Sequence, residues 1–144
     1  GYGVPAALAA ALVFPERTTI CFVGDGGFLM AGNELATALQ YDLKPIYLVI
    51  NNSMFGTIRM HQEREYPGRE VATELRNPDF AAYAQSFGAH GEIVERGADF
   101  APALERALAA NKVAVLELRT DPEAITTRTT LTAIREAAVA RQKA

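Results

Sequence analysis

Apolar and polar positions along this chain fall into blocks rather than alternating residue by residue. Residues 18–23 (Thr-Thr-Ile-Cys-Phe-Val) form a short β-branched and apolar run that stops at a glycine cluster. Ile46 to Ile50 is wholly apolar behind Lys44-Pro45, and Val113 to Leu118 reads as a third such run. Unbroken apolar runs of this length mark strands covered on both faces. Ile93-Val94 reads as a weaker strand. Helices are predicted between the strands, over Ala6 to Val13, Asn33 to Tyr41, Thr57 to Glu65, Phe80 to Phe87 and Asp99 to Ala110. Leu35, Ala38 and Leu39 share one face of the second of these, as a helix on a sheet requires. Asn77-Pro78-Asp79 supplies a helix start and Gly88 a stop. Residues 121–144 read as a polar, Thr-rich connector followed by a terminal helix over Leu131 to Ala140. Strand and helix alternate without internal repeat. That order predicts an α/β fold, a doubly wound and mostly parallel sheet with helices on both faces.

Composition narrows the partners. A chain of 144 residues with 49% hydrophobic and 22% charged content fits one globular domain, 1–144. Net charge is −3 with both signs interspersed, which offers no footprint for nucleic acid or an anionic membrane. No apolar run nears the roughly 20 residues of a bilayer span. The one cysteine, Cys21, sits in a strand-like run, so no disulfide framework exists and a cytoplasmic setting is expected. Gly1-Tyr2-Gly3-Val4-Pro5 runs straight into a helix-forming stretch. On that ground the chain is expected to be a fragment of a longer polypeptide, lacking the first strand of its sheet.

In open α/β sheets, ligands bind outside the carboxyl ends of the strands. Two polar segments fall there: Gly24-Asp25-Gly26-Gly27 after the first strand and Asn51-Asn52-Ser53 after the second. If those strands are neighbours, about 4.8 Å apart, Asp25 and Asn52 face one small ligand from the same edge. The donor types suit Mg²⁺-diphosphate. Mg²⁺ commonly takes one or two carboxylates together with phosphate oxygens. Asp25 supplies a carboxylate, Asn52 a neutral amide oxygen, and a turn carbonyl such as that of Met54 a third ligand. Gly26 and Gly27 let backbone N–H groups approach phosphate with no Cβ in the way, and the helix that follows turns its N-terminus to the anion. A dinucleotide fingerprint from Gly24 would need glycine where Leu29 stands, and no Gly-Lys-Ser/Thr P-loop occurs.

Gly24-Asp25-Gly26, then 24 residues, then Asn51-Asn52 resembles the GDG…NN signature of thiamine-diphosphate-dependent enzymes. Alone, each half is an ordinary turn. Both together, each behind an apolar run, arise by chance at roughly 10⁻³ or below. Gly1 to Ala7 and Gly56-Thr57-Ile58-Arg59-Met60-His61-Gln62 are similar to flanking segments of the acetolactate synthase and 2-oxo-acid decarboxylase group. The resemblance implies the fold of the C-terminal cofactor-binding domain, with thiamine diphosphate and Mg²⁺ as cofactors. It assigns Asp25, Asn52 and the Met54 carbonyl to the metal, and Gly24, Gly26, Gly27 and Thr57 to the diphosphate. It further implies decarboxylation of a 2-oxo acid, the resulting carbanion being protonated or transferred to a carbonyl acceptor. The activating Glu is expected on a separate pyrimidine-binding domain of the same or another subunit, in a homo-oligomer. No catalytic residue is therefore assigned within this chain, and by itself it is expected to be inactive. A small subunit pairing with a separate pyrimidine-binding chain, and a non-catalytic diphosphate-binding module, stand as alternatives.

Ile58, His61, Gln62 and Glu65 share one helical face, and the first three are candidates to face substrate. Many acetolactate synthases carry Trp where His61 falls, so the sequence departs from that group here. Arg59 and Arg64 are expected to be solvated or salt-bridged. Met54, Phe55 and Met60 fit a pocket wall and a subunit interface equally. The terminal helix is either an arm over the site or surface structure.

Overall fold

The computed structural model describes residues 1–143, so Ala144, the last residue of the expected C-terminal segment, lies outside the described residues. In chain order the elements are α1 (Gly3–Val13), β1 (Ile20–Gly24), α2 (Asp25–Leu29), a single 3-10 turn (Gly32–Glu34), α3 (Leu35–Gln40), β2 (Ile46–Asn51), α4 (Gly56–Glu65), α5 (Phe80–Phe87), β3 (His90–Val94), α6 (Gly97–Ala109), β4 (Ala114–Arg119) and α7 (Leu131–Gln142). They fall into two compact units. One comprises Gly1–Asn51 and Asn77–Arg119, the other Asn52–Arg76 and the stretch from Thr120. No helix of the described residues is long and apolar enough to cross a membrane.

The first unit is an α/β layer structure. Its four strands are all parallel in the order β1-β2-β4-β3. On one face, Cys21, Val23, Tyr47 and Val115 pack with Val4 and Leu8 of α1, Phe28 of α2, Leu35 of α3 and Phe80 of α5. On the other, Ile46, Leu48 and Leu116 pack with Ala103 and Ala107 of α6. Helices thus cover both faces, as the unbroken apolar runs predict. The cover stops at β1, where Phe22 is 73% exposed.

Local chemistry explains the element ends. Helix α1 starts three residues before the expected Ala6, because Pro5 needs no N–H partner in a first turn. It buries Val4, Ala7, Leu8 and Ala11, the spacing of one helical face. Helix α5 is capped by Asp79, whose carboxylate accepts the Ala82 N–H at 2.7 Å. It is closed by Gly88 in the left-handed region (φ 93°), with Ala89 N–H bonded back to Ala84 O. The expected helix over 33–41 is tightened at its start into the 3-10 turn.

Gly91 fits β3 against α5 so closely that a Cβ there would lie 2.3 Å from Ala81 O, a backbone atom with nowhere to move. Gly91→Ala is expected to cost roughly 3 kcal/mol of stability through this overlap. Denaturant unfolding checks the figure, and an unchanged midpoint would show that α5 can shift.

The second unit is built from helix α4 packed on helix α7 and a short antiparallel strap. In the strap, Met54 pairs with Glu74, flanked by Phe55 N–H to Thr73 O (2.8 Å) and Leu75 N–H to Ser53 O (2.9 Å). The residue buried on α4 is a carboxylate, Glu63, at 0% exposure. Arg59 Nε donates to it at 2.9 Å and Arg135 Nε of α7 at 2.7 Å. Arg59 is therefore salt-bridged, as expected, and reaches Glu70 as well.

Candidate functional site

Strand β1 ends at Gly24 and the chain turns at once into α2, whose first residue is Asp25. A helix of five residues is too short to persist unaided. Phe28 anchors it, with its ring edge-on to Phe80 (5.5 Å), Tyr47 (6.0 Å) and Tyr83 (6.3 Å). Gly32 makes room for that ring, since a Cβ there would stand 2.9 Å from it.

Asp25 is buried at 3% exposure. Its Oδ1 accepts the Gly26 N–H at 2.9 Å and its Oδ2 accepts Asn77 Nδ2 at 2.7 Å. Both donors are neutral, and no Lys, Arg or His pairs with Asp25 among the described residues. A buried carboxylate without a counter-charge is costly. The place is short of one cation.

A polar network lies behind it. Asn77 Nδ2 also donates to Asn51 Oδ1 at 2.8 Å, and Asn51 Nδ2 donates to Glu117 Oε1 at 2.9 Å. Glu117, 1% exposed, further accepts the Phe80 N–H (2.9 Å) and Arg119 Nε (3.0 Å). Gly24 and Ile50 stand opposite each other in the parallel pairing of β1 and β2. Both sequence motifs therefore leave the sheet at the same carboxyl edge, with Asn52 directly after Asn51.

In the second unit, Asn52 Oδ1 accepts the Met54 N–H at 3.2 Å, folding residues 52–54 into an Asx turn with Ser53 in the left-handed region (φ 58°). Met54 O accepts the Gly56 N–H at 2.9 Å. Each oxygen keeps a second lone pair for another partner. A Cβ on Gly56 would stand 2.8 Å from Asn52 Nδ2, so glycine here seats the Asn52 amide. At Gly24 a Cβ would meet nothing within 4 Å, so the protein's own packing does not demand glycine there. Open space beside that backbone suits a close-lying ligand. At Gly27 the nearest atom to a Cβ is Val23 Cγ2, at 3.3 Å.

The remaining candidates lie on α4. Thr57 and His61 are exposed, as is Ile58 at 53%. Gln62 is engaged at both ends of its amide, donating to Val71 O (3.0 Å) and accepting the Val71 N–H (2.9 Å). That pairing spends the group expected to face substrate on holding a loop. Sequence reasoning missed Asn77, Glu117 and Glu63. Glu117 did leave a signal, a charge inside the apolar run Val113 to Leu118. Asn77 reads as part of a helix start, yet Asp79 performs the capping.

Residues 1–118 match the family described as thiamine pyrophosphate enzyme, C-terminal TPP binding domain. An acetolactate synthase large subunit from Haemophilus influenzae is 34% identical over 123 residues, 84% of this chain and 22% of that protein. A sulfoacetaldehyde acetyltransferase from Castellaniella defragrans is 33% identical over 122 residues, 82% of this chain and 20% of that protein. Among solved structures, the thiamine diphosphate-dependent 4-hydroxybenzoylformate decarboxylase of Rhodococcus jostii RHA1 superposes with a TM-score of 0.77 at 31% identity, over 83% of this chain and 23% of that one. The chain spans about a fifth of the length of the curated relatives it matches.

Proposed function

Because the chain belongs to the thiamine pyrophosphate enzyme family, as a C-terminal cofactor-binding domain, we propose that it grips the diphosphate of thiamine diphosphate through one Mg²⁺. Asp25, Asn52 and the Met54 carbonyl are the protein's ligands in this reading. The observation that carries it is the buried Asp25 carboxylate, held by two neutral donors and lacking a cation. The donor set fits the ion: one carboxylate suffices where the diphosphate brings further negative oxygens. Among the described residues no three of His, Cys, Asp and Glu converge, which suits a metal bound largely through its ligand. Gly24, Gly26, Gly27 and Thr57 present backbone to the phosphates.

When bound, the cofactor supplies a nucleophilic carbon and an electron sink for loss of CO₂ from a 2-oxo acid. The chain's own residues bind and orient it. The full protein is proposed to be acetolactate-synthase-like, decarboxylating a 2-oxo acid and passing the product carbon to a proton or to a carbonyl acceptor. A Glu from a pyrimidine-binding domain, of the same or another subunit in a homo-oligomer, completes the site. Support for that assembly comes from β1, where Ile20 and Phe22 are bare apolar surface at a sheet edge. Buried, reduced Cys21 supports a cytoplasmic setting.

Calorimetry of thiamine diphosphate against the natural full-length protein tests the metal link. Binding with Mg²⁺ is expected to weaken by roughly two orders of magnitude once the metal is chelated. Equal affinity in excess chelator would defeat the proposal.

A further inference from the structure

We propose that Asn77 is the positioning residue for Asp25, aiming its carboxylate at the metal without neutralising it. This rests on the Mg²⁺ reading above and goes beyond it, to a side chain with no part in the metal set.

The geometry is specific. One amide nitrogen, Asn77 Nδ2, spends its two hydrogens on Asp25 Oδ2 (2.7 Å) and Asn51 Oδ1 (2.8 Å). The reverse orientation of the amide would set its oxygen against those two acceptors, so the assignment of nitrogen and oxygen is decided by its neighbours. The cost is visible at the other end of the group, where Asn77 Oδ1 is buried and has no hydrogen-bond partner. Buried acceptors are rarely left so. The arrangement keeps both donors on their targets at the expense of its own oxygen.

Charge explains why the donor is an amide. Lys or Arg in this place would hold Asp25 more tightly but would cancel the charge that a cation needs. An amide fixes direction and leaves the charge in place. The Gly26 N–H on Oδ1 does the same from the other side, and each carboxylate oxygen keeps a lone pair. Asn77 is itself held, through Asn51 to the buried Glu117 and through Phe80, three residues on, whose N–H binds the same carboxylate. A tether of fixed hydrogen bonds thus runs from Glu117 to Asp25. Such outer partners of a ligand set its orientation and tune its metal.

The test uses Asn77→Ala and Asn77→Leu in the natural full-length protein. Leu keeps side-chain volume while removing both donors, so it reports if the Ala variant does not fold. Mg²⁺ and Ca²⁺ affinities are measured by calorimetry at saturating thiamine diphosphate, and the unfolding midpoint without metal or cofactor. A loosened Asp25 is expected to cost Mg²⁺ about 10- to 100-fold and Ca²⁺ about threefold or less, because Ca²⁺ tolerates irregular geometry. The midpoint is expected to stay near that of the unmutated protein. Mg²⁺ affinity within threefold of the unmutated protein overturns the proposal. So does a loss of equal size for both ions, which marks a merely structural role. An Asp25→Ala control with undiminished Mg²⁺ affinity would instead remove the metal reading, and this inference with it.

Discussion

Asp25→Ala is expected to weaken Mg²⁺-dependent binding of thiamine diphosphate at least 100-fold while leaving the fold in place. Asp25 is the one charged ligand in the proposed set, and each tenfold of affinity is about 1.4 kcal/mol. Losing a charge-assisted metal bond in a buried place exceeds 2.7 kcal/mol on any reasonable dielectric, roughly the 100-fold stated. Stability responds differently. The carboxylate is 3% exposed with no cation beside it, so its removal relieves a desolvation cost. Against that, the Gly26 N–H and Asn77 Nδ2 each lose an acceptor, at about 1–3 kcal/mol for a donor left unsatisfied. The two effects oppose, and a net change within about 2 kcal/mol follows. Calorimetry and denaturant unfolding on the same variant separate them. Undiminished cofactor affinity in a folded Asp25→Ala protein would end the metal assignment.

Glu63→Gln is expected to release α7 from α4. Glu63 is fully buried and takes Arg59 on one oxygen and the Arg135 guanidinium on both. Breaking a buried pair by removing one partner costs about 3–5 kcal/mol, because the survivors keep their desolvation and lose their partner. Arg59 retains Glu70 at 3.2 Å, whereas the Arg135 guanidinium has no other printed acceptor of its kind, so the loss falls mainly on α7. Hydrogen exchange along 131–142 reads it out directly. Full protection of that helix in the variant would show that apolar packing alone holds it.

Acid acts on the same contact. The Arg135 guanidinium holds the Glu63 carboxyl down to about 2, against an ordinary value of 4.5, with burial pushing the other way and Arg59 adding to the lowering. A depressed folded value means that the unfolded chain takes up the proton first as pH falls. The stabilisation is therefore complete above about pH 4.5 and drains away toward pH 2. Protection of α7 is expected to fall through that window in the unmutated protein and to lack that dependence in Glu63→Gln.

The candidate site was half legible. Gly24-Asp25-Gly26 and Asn51-Asn52 stand out because each ends an apolar run, and a parallel strand must end in a loop at the ligand edge. Their supports do not stand out. Asn77 lies 52 residues from Asp25, and Arg135 lies 72 from Glu63. No local spacing links such pairs, so each reads as a cap, a turn or a surface charge until the chain is folded. Gln62 shows the converse. Helical spacing places it with His61 and Ile58, but the amide closes on Val71 nine residues away.

From sequence alone came the α/β class, the helix and strand blocks, and the two motifs, because burial periodicity, glycine and proline geometry and short polar turns act over a few residues. Tertiary structure decided the strand order β1-β2-β4-β3, the bare apolar face of β1, and the partners of Asp25, Glu63 and Glu117. Those depend on which distant groups share a desolvated space. A buried charge is settled there by whatever donor the fold delivers, and nothing in its sequence neighbours names that donor.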